Sequence, residues 1–355
     1  MSIFLKFFTV LATLWGVATA VFFLFSVMPG DPAQMMLGQN ENSEELALIR
    51  VKYGFDQPVF KQYVSYLNDL SPVGWHPNQN SFNGLDTGNY SFTTLWSAQT
   101  NTLVLKWPYL RESYQKNGVG VGQIIADTLP NTAVLAVAAL LIALAMGLLL
   151  GTLSAIRVNT WLDRFVQWIR TLGMSTPSVF SAILAAWIFG FLLQKYTGLN
   201  MTGSFYEMDD MGTSYHIAWK NLVLPAMVLG MRPLAVVTQL MRNALLDEWN
   251  RDYVRTARAK GLSESQILVR HVLKNALNPV VTALSGWFAS MLAGAVFVEY
   301  IFGWNGIGKE IVNALNVLDV PVLMGAVLTV SFLFIIINLM VDQIYMYLDP
   351  TIKST

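Results

Sequence analysis

Few residue combinations in this chain could carry covalent chemistry. Cysteine is absent, which removes disulfides, thiol nucleophiles and thiolate metal sites. The three histidines, His76, His216 and His271, lie far apart without ligand-type spacing, so no metal site is expected. Gly303, Gly308 and Lys309 spell most of a phosphate-binding loop, yet Glu310 stands where Ser or Thr would hold magnesium. Those glycines are expected instead to shape a turn ahead of a short helix. The paired histidines and carboxylate of a zinc protease are missing as well. What remains is charge in unusual settings. Arg232 stands alone in an apolar stretch, just before Pro233, and a basic run extends from Arg242 to Lys274.

The elements that must position these residues are membrane spans. Of 355 residues, 54% are hydrophobic and only 12% charged, against ~25% charged in ordinary soluble domains. Six stretches reach the roughly 20 apolar residues that a helix needs to cross a bilayer core. Phe7 to Gly30, Leu129 to Ile156 and Thr171 to Gln194 are uncharged, and Asn221 to Met241 contains only Arg232. Asn275 to Val298 and Val320 to Val341 complete the set. Hydrocarbon offers no partner to unpaired amides, so helices are expected. The first stretch has no convincing small-residue cleavage site before Pro29 and reads as a retained helix rather than a signal peptide.

Lys and Arg in the short loops set the orientation. With the N-terminus inside, the inner segments hold twelve and the two short outer loops only three, Lys195, Lys220 and Lys309. Both termini are therefore expected in the cytoplasm, with 1–30 as the first span and 349–355 as a tail. The segment 31–127 falls outside, either as a small cap or as a partly ordered loop. Within it Glu44 to Tyr53 and Pro58 to Leu70 show helical periodicity, Ser71 to Asn101 reads as loop or short strands, and Thr102 to Trp107 as one weak strand. Zero formal net charge gives no basic field of the kind that nucleic acid would attract. The core, 128–348, would carry the other five spans. Pro177, Pro225 and Pro233 inside predicted spans imply kinks. In the fifth span, Gly286, Ser290 and Gly294 recur every four residues, a pattern that serves close helix packing or a path lined with small side chains. Arg232 marks either that path or an arginine snorkelling to an interface.

The inner loop of about 33 residues between the fourth and fifth spans, roughly 243–277, is the most structured. Leu245, Leu246, Trp249, Tyr253, Val254 and Ala257 predict a helix over Ala244 to Lys260, with Arg251, Arg255 and Arg258 elsewhere around it. Gly261 is placed to end that helix in a left-handed turn. Ser263 and Gln266 form a capping-box pair that starts the next helix. A basic helix–Gly–helix unit suits either the lipid headgroup layer or the groove of a soluble partner.

The run "DYVRTARAKGLSESQILVRHVLKNALNPVV", Asp252 to Val281, resembles the cytoplasmic signature loop of binding-protein-dependent ABC importer permeases of the oligopeptide/dipeptide/nickel group. "MPGDPA" (Met28 to Ala33), "WLDR" (Trp161 to Arg164), "STPSVF" (Ser175 to Phe180), "VEYIFGWNGIGKEIVNAL" (Val298 to Leu315) and "LDP" (Leu348 to Pro350) fit the B-type subunit of that group in order. The resemblance implies an all-α polytopic membrane protein of about six transmembrane helices in the bacterial inner membrane, transporting peptides or, alternatively, nickel. It implies a second permease subunit, two cytoplasmic ATP-binding subunits that hold ATP and magnesium, and an extracytoplasmic binding protein, with lipid around the spans and no catalysis in this chain. Tyr253, Arg255, Ala257, Arg258, Gly261, Leu262 and His271 would form the coupling surface. The acidic residue of the general signature is replaced by Arg255, and the first outer loop looks extended within 71–108. A stand-alone secondary transporter would need intramembrane carboxylates near mid-span. The spans offer only Arg232 there, with Glu299 and Asp342 near the ends.

Overall fold

The fold is that of a computed structural model, which describes residues 3–26, 31–37, 43–77, 91–116, 118–209 and 211–348. The expected tail 349–355 and the first half of the "MPGDPA" motif, Met28 to Gly30, lie outside the described residues. In chain order the elements are α1 (Ile3–Ser26), α2 (Pro32–Leu37), α3 (Ser43–Tyr53) and α4 (Val59–Leu70), then β1 (Val73–Pro77), β2 (Phe92–Ser97) and β3 (Asn101–Lys106). Next come α5 (Val121–Ile156), α6 (Trp161–Ser175), α7 (Ser178–Ala185) with a π-helical continuation Ala186–Leu192, and α8 (Gln194–Thr197). A hairpin of β4 (Tyr206–Met208) and β5 (Tyr215–Ile217) precedes α9 (Trp219–Trp249), α10 (Asp252–Ala259) and α11 (Glu264–Ile267). A π-helical turn Leu268–Val272 leads into α12 (Leu273–Phe302), followed by α13 (Ile307–Asn316) and α14 (Val320–Leu348). The long elements are all helical; the sheet of β1, β2 and β3 falls where short strands were expected, and the β4–β5 hairpin is an addition.

Among the described residues four helices are long and apolar enough to cross a membrane: Phe8–Ser26 of α1, α5, α9 and Val320–Val341 of α14. The chain is thus a multi-pass membrane protein. The expected third span does not run straight. Thr176 takes extended backbone (φ −81°, ψ 134°), as the residue before a proline prefers, and the helices on either side of this break meet at 112°. They make a fifth span only if the bent pair counts as one. Pro225 and Pro233, by contrast, lie inside a continuous α9. The expected fifth span lies in α12, where the apolar described stretch is only Ser290–Phe302.

Two compact units divide the chain. The first comprises 1–128 and 310–332. Its apolar core joins Ala18, Val21 and Phe22 of α1 to Tyr63 and Tyr66 of α4 and to Met324 and Leu328. The Phe22 ring stacks on Tyr66 with centroids 5.5 Å apart. The sheet has the order β1-β3-β2, with Val73 opposite Leu105 and Phe92 opposite Lys106. The central strand β3 buries Thr102, Val104 and Lys106 on one face, the period of two that a half-buried strand requires. The segment 31–127 is therefore folded over most of its described length, although 78–90 lies outside the described residues.

The second unit comprises 129–309 and 333–355. One apolar cluster brings Leu135, Ala139, Ala182, Leu224, Leu292 and Trp304 together. Another joins Val237, Met241 and Leu245 of α9 to Val254, Ala257, Ile267, Val272 and Ala276. The helix expected over Ala244 to Lys260 is two helices. Apolar spacing carries on from Leu245 to Tyr253, but α9 already ends at Trp249, and extended backbone at Arg251 (φ −74°, ψ 151°) starts α10 afresh. Along α6, Trp161, Phe165 and Trp168 stack in series on an exposed face, with centroids 5.4 and 6.4 Å apart.

Candidate functional site

At the Gly261 turn, the chain closes α10 by purely local means. Gly261 adopts φ 80°, a left-handed conformation that costs residues with a Cβ about 1–2 kcal/mol. Its amide donates to Arg258 O at 2.9 Å, and that of Leu262 donates to Ala257 O at 3.3 Å, the paired bonds of a Schellman motif. Ser263 and Gln266 form the expected capping box at the start of α11. Arg258 then clamps the two helices through a two-pronged contact to Glu264 at 2.7 and 3.1 Å. That bond raises the Arg258 guanidinium and holds the Glu264 carboxyl below its ordinary range.

The unit packs on the ends of its own neighbours and leaves a charged outer surface. Val254, Ala257, Ile267 and Val272 are buried, whereas Arg251, Arg255, Arg258, Lys260, Gly261 and His271 are exposed. Arg255 lies 3.5 Å from Asp252 of its own helix. Tyr253 is half-buried and donates its hydroxyl to Glu248 at 2.7 Å. Of the seven expected coupling residues, Ala257 lies beneath the surface, Leu262 and Tyr253 straddle it, and Arg255, Arg258, Gly261 and His271 face outward.

A second place gathers the other three expected residues. Arg232, Ser290 and Gly294 line one cavity of about 160 Å³ together with Thr176, Ser178 and Ser181. The break after α6 is what delivers these hydroxyl groups to the wall. Arg232 has no ion-pair partner among the described residues. A Cβ added at Gly286 or Gly294 would meet nothing within 4 Å, so among the described residues no other helix packs tightly on these two glycines.

Sequence reading missed a buried ionic link. Arg242 donates through two nitrogens to both carboxylate oxygens of Asp163, each at 2.9 Å. It also reaches Ser154 Oγ at 3.1 Å, and Ser154 donates to Asp163. This joins α5, α6 and α9 at the root of the Gly261 turn. The only sequence signals were Asp163 within "WLDR" and one arginine among many loop charges. The phosphate-loop lookalike is filled from within the chain. Gly308 and Lys309 donate their amides to Glu299 Oε2 at 2.7 and 3.2 Å, and the Lys309 ammonium is spent on Gly303 O and Asn305 Oδ1.

The long apolar helices and the glycine-hinged loop between α10 and α11 define a multi-pass membrane protein. The chain belongs to the family described as binding-protein-dependent transport system inner membrane component, which matches residues 147–354, with that family's N-terminal component matching 2–80. It is 30% identical over 353 residues to the dipeptide transport system permease protein DppB of Alkalihalophilus pseudofirmus, covering 95% of both chains. To the di/tripeptide transport system permease protein DppB of Pseudomonas aeruginosa it is 32% identical over 361 residues, covering 96% of this chain and 95% of that one. Among solved structures, it is similar to the MetNI methionine ABC transporter in an inward-facing conformation (TM-score 0.49, 16% identity, 63% of this chain and 95% of that one).

Proposed function

We propose that this chain is a membrane-spanning subunit of an ATP-driven ABC importer for short peptides, with ATP hydrolysis in separate subunits. The observation that carries the reading is the Gly261 turn: a locally locked, exposed, basic knob inside the region that matches the family. Two relatives that share nearly the full length are named for dipeptide or di/tripeptide transport, which favours peptides over nickel.

On this reading six spans cross the inner membrane with both termini in the cytoplasm, the α6–α7 pair supplying a broken third and α12 the fifth. The domain limits are 1–30, 31–127, 128–348 and 349–355. Roughly 243–277 forms the coupling loop, seated in a groove of an ATP-binding subunit through Arg255, Arg258, Gly261 and His271. A second permease subunit completes the path, an extracytoplasmic binding protein delivers cargo to the 31–127 side, and the cavity at Arg232, Ser290 and Gly294 lies on the route. The stacked face of α6, flanked by Arg157 and Arg164, rests in the headgroup layer. ATP-driven dipeptide uptake by the assembled transporter in proteoliposomes tests the reading. Gly261→Val is expected to insert normally, keep basal ATPase activity and lose uptake. Uptake at the wild-type rate by that variant sinks the coupling role.

A further inference from the structure

In the second unit, the cavity at Arg232 has a wall suited to one kind of chemical group. Arg232 is the only ionisable residue that lines it. The residue is exposed and makes no hydrogen bond or ion pair among the described residues. Ser178 and Ser290 bring hydroxyls that are likewise unbonded there. The other two hydroxyls are engaged already: Ser181 donates to Thr176 Oγ1 at 3.2 Å, and Thr176 donates to Leu172 O at 2.8 Å. No side chain caps α7, which begins at Ser178, and this leaves open amide donors beside that serine. The wall thus offers a cation and several donors, and no charged acceptor.

The helices that form this wall, α6, α7, α9 and α12, hold no carboxylate placed to answer Arg232. The one acid of α6, Asp163, is taken by Arg242. The run from Ser178 to Leu192 carries no charge. The one acid of α12, Glu299, is buried and accepts the amides of Gly308 and Lys309. On α9, Asp247 and Glu248 stand about four turns beyond Arg232, at the far end of the helix. Arg170, three residues before Gly173 of the wall, adds positive charge on the α6 side. Arg232 itself lies thirteen residues from the start of α9 and seventeen from its end, roughly 20–25 Å at 1.5 Å per residue. That is out of reach of lipid phosphates. A charge so deep in a span faces a path or a partner rather than hydrocarbon.

At about 160 Å³ the cavity is smaller than the roughly 300–1,000 Å³ of sites that enclose a whole small molecule, so it takes one end of its ligand. A carboxylate matches the planar guanidinium fork through two parallel hydrogen bonds and has lone pairs left for a hydroxyl. We infer that the Arg232 cavity receives the C-terminal carboxylate of a peptide in transit, with the Ser178 and Ser290 hydroxyls as further donors and the last side chain against Trp287 and Met291. This inference rests on the peptide-importer reading and deepens it by naming what the cavity recognises. The C-terminal carboxylate is the one acidic group that every short peptide carries whatever its side chains. Selection at this point therefore admits many sequences and demands an unblocked C-terminus.

The test uses the assembled permease subunits and ATPases in nanodiscs, with the binding protein left out so that the membrane site alone selects. The photoreactive dipeptide glycyl-4-azidophenylalanine is compared with its N-acetyl derivative and its C-terminal amide. Labelled positions are mapped by mass spectrometry, and the second permease subunit is quantified in each purified complex. On wild type the free dipeptide should label the stretch around Trp287 and Met291, and the N-acetyl derivative should label it equally well. The amide should need about tenfold more for half-maximal labelling, a comparison that requires no variant. Arg232→Gln should weaken labelling by the free dipeptide about as much and leave the amide unchanged, with Arg232→Lys between the two. Equal labelling of wild type by dipeptide and amide, label confined to other positions, or indifference of the dipeptide to Arg232→Gln overturns the proposal. Loss of the second permease subunit from the Arg232→Gln complex overturns it too, by assigning the guanidinium to that subunit. Binding-protein-dependent dipeptide uptake by the wild-type transporter in proteoliposomes is measured alongside. Uptake without label in the cavity sinks this site alone, whereas no uptake of any dipeptide sinks the function reading.

Discussion

Two glycine turns in the second unit end helices in the same left-handed way and are otherwise opposites. Gly303 (φ 69°) closes α12, and Gly261 (φ 80°) closes α10. Around Gly303 the chain is braced from afar. The Trp304 ring is fully buried, its indole donates to Asn131 O at 3.0 Å across 173 residues, and Asn131 returns a bond to Asn305 O at 2.8 Å. Ile307 donates to Thr132 Oγ1, and Glu299 takes two amides of the following helix. Around Gly261 the backbone bonds, the capping box and the Arg258–Glu264 clamp all join residues at most six apart, and a Cβ there would meet nothing within 4 Å. One turn is a fixed corner of the fold. The other is a preformed knob with space around it, the shape that a separate subunit can grip without reorganising this chain.

The contrast breaks most visibly at the corner. Trp304→Ala empties a fully buried aromatic site and strands the Asn131 carbonyl, an expected loss of about 3–5 kcal/mol. Thermal unfolding of the detergent-solubilised protein, followed by circular dichroism, should show a large fall in melting temperature. A melting temperature within a degree of wild type would mean that the corner is no more fixed than the knob.

The root of the knob comes next. Asp163→Ala leaves Arg242 partly buried without its two-pronged partner, for which about 3 kcal/mol is expected. It frees the end of α9 from which the turn projects, so uptake should fall together with stability. Asp163→Asn, which can still accept from Arg242, should fall between wild type and alanine in the same assay. Equal loss from both variants would show that charge rather than geometry holds the root.

At the knob itself stability and function should part. Gly261→Val carries the left-handed penalty of about 1–2 kcal/mol and projects a branched side chain into the outer surface, so uptake should be abolished with only a small melting shift. Gly261→Asn, which tolerates this backbone conformation, should retain more uptake than valine. If valine unfolds the protein as thoroughly as Trp304→Ala, the two turns are not different in kind.

These turns also show why some of the molecule was legible in its sequence. The Gly261 unit is spelled by neighbours: a glycine at the helix end, Ser263 three residues before Gln266, and apolar residues at helical spacing. Local signals of that sort also gave β3 and the two helices over 43–53 and 59–70. What failed was continuity. Leu245, Trp249 and Tyr253 keep one helical rhythm across the break at Asn250 and Arg251, and no residue type there announces it. Pro177 did announce a disturbance, but the 112° bend depends on packing that a proline alone does not set. The Asp163–Arg242 pair spans 79 positions, and Tyr66 and Arg111 meet only after α4 and the sheet have folded. Pairings of this kind carry no local mark.

The smallest effect expected on stability is at the clamp across Gly261. Arg258 and Glu264 are both exposed, so removing either should leave the melting temperature unchanged within error, as for most surface pairs. The bond holds Glu264 below the ordinary glutamate value. Its contribution is therefore fully present above that ordinary value and is lost only as pH falls through the lowered one, so uptake should show no pH dependence from this pair near neutrality. Function separates two roles for the arginine. Arg258→Glu breaks the clamp and reverses the outward charge, whereas the double exchange Arg258→Glu with Glu264→Arg restores the clamp and keeps the net charge of the pair. If the double exchange recovers uptake, the clamp acts by fixing the angle between α10 and α11. If uptake stays lost while melting is unchanged, the guanidinium at that position meets the partner directly, and the knob is recognised by charge as well as by shape.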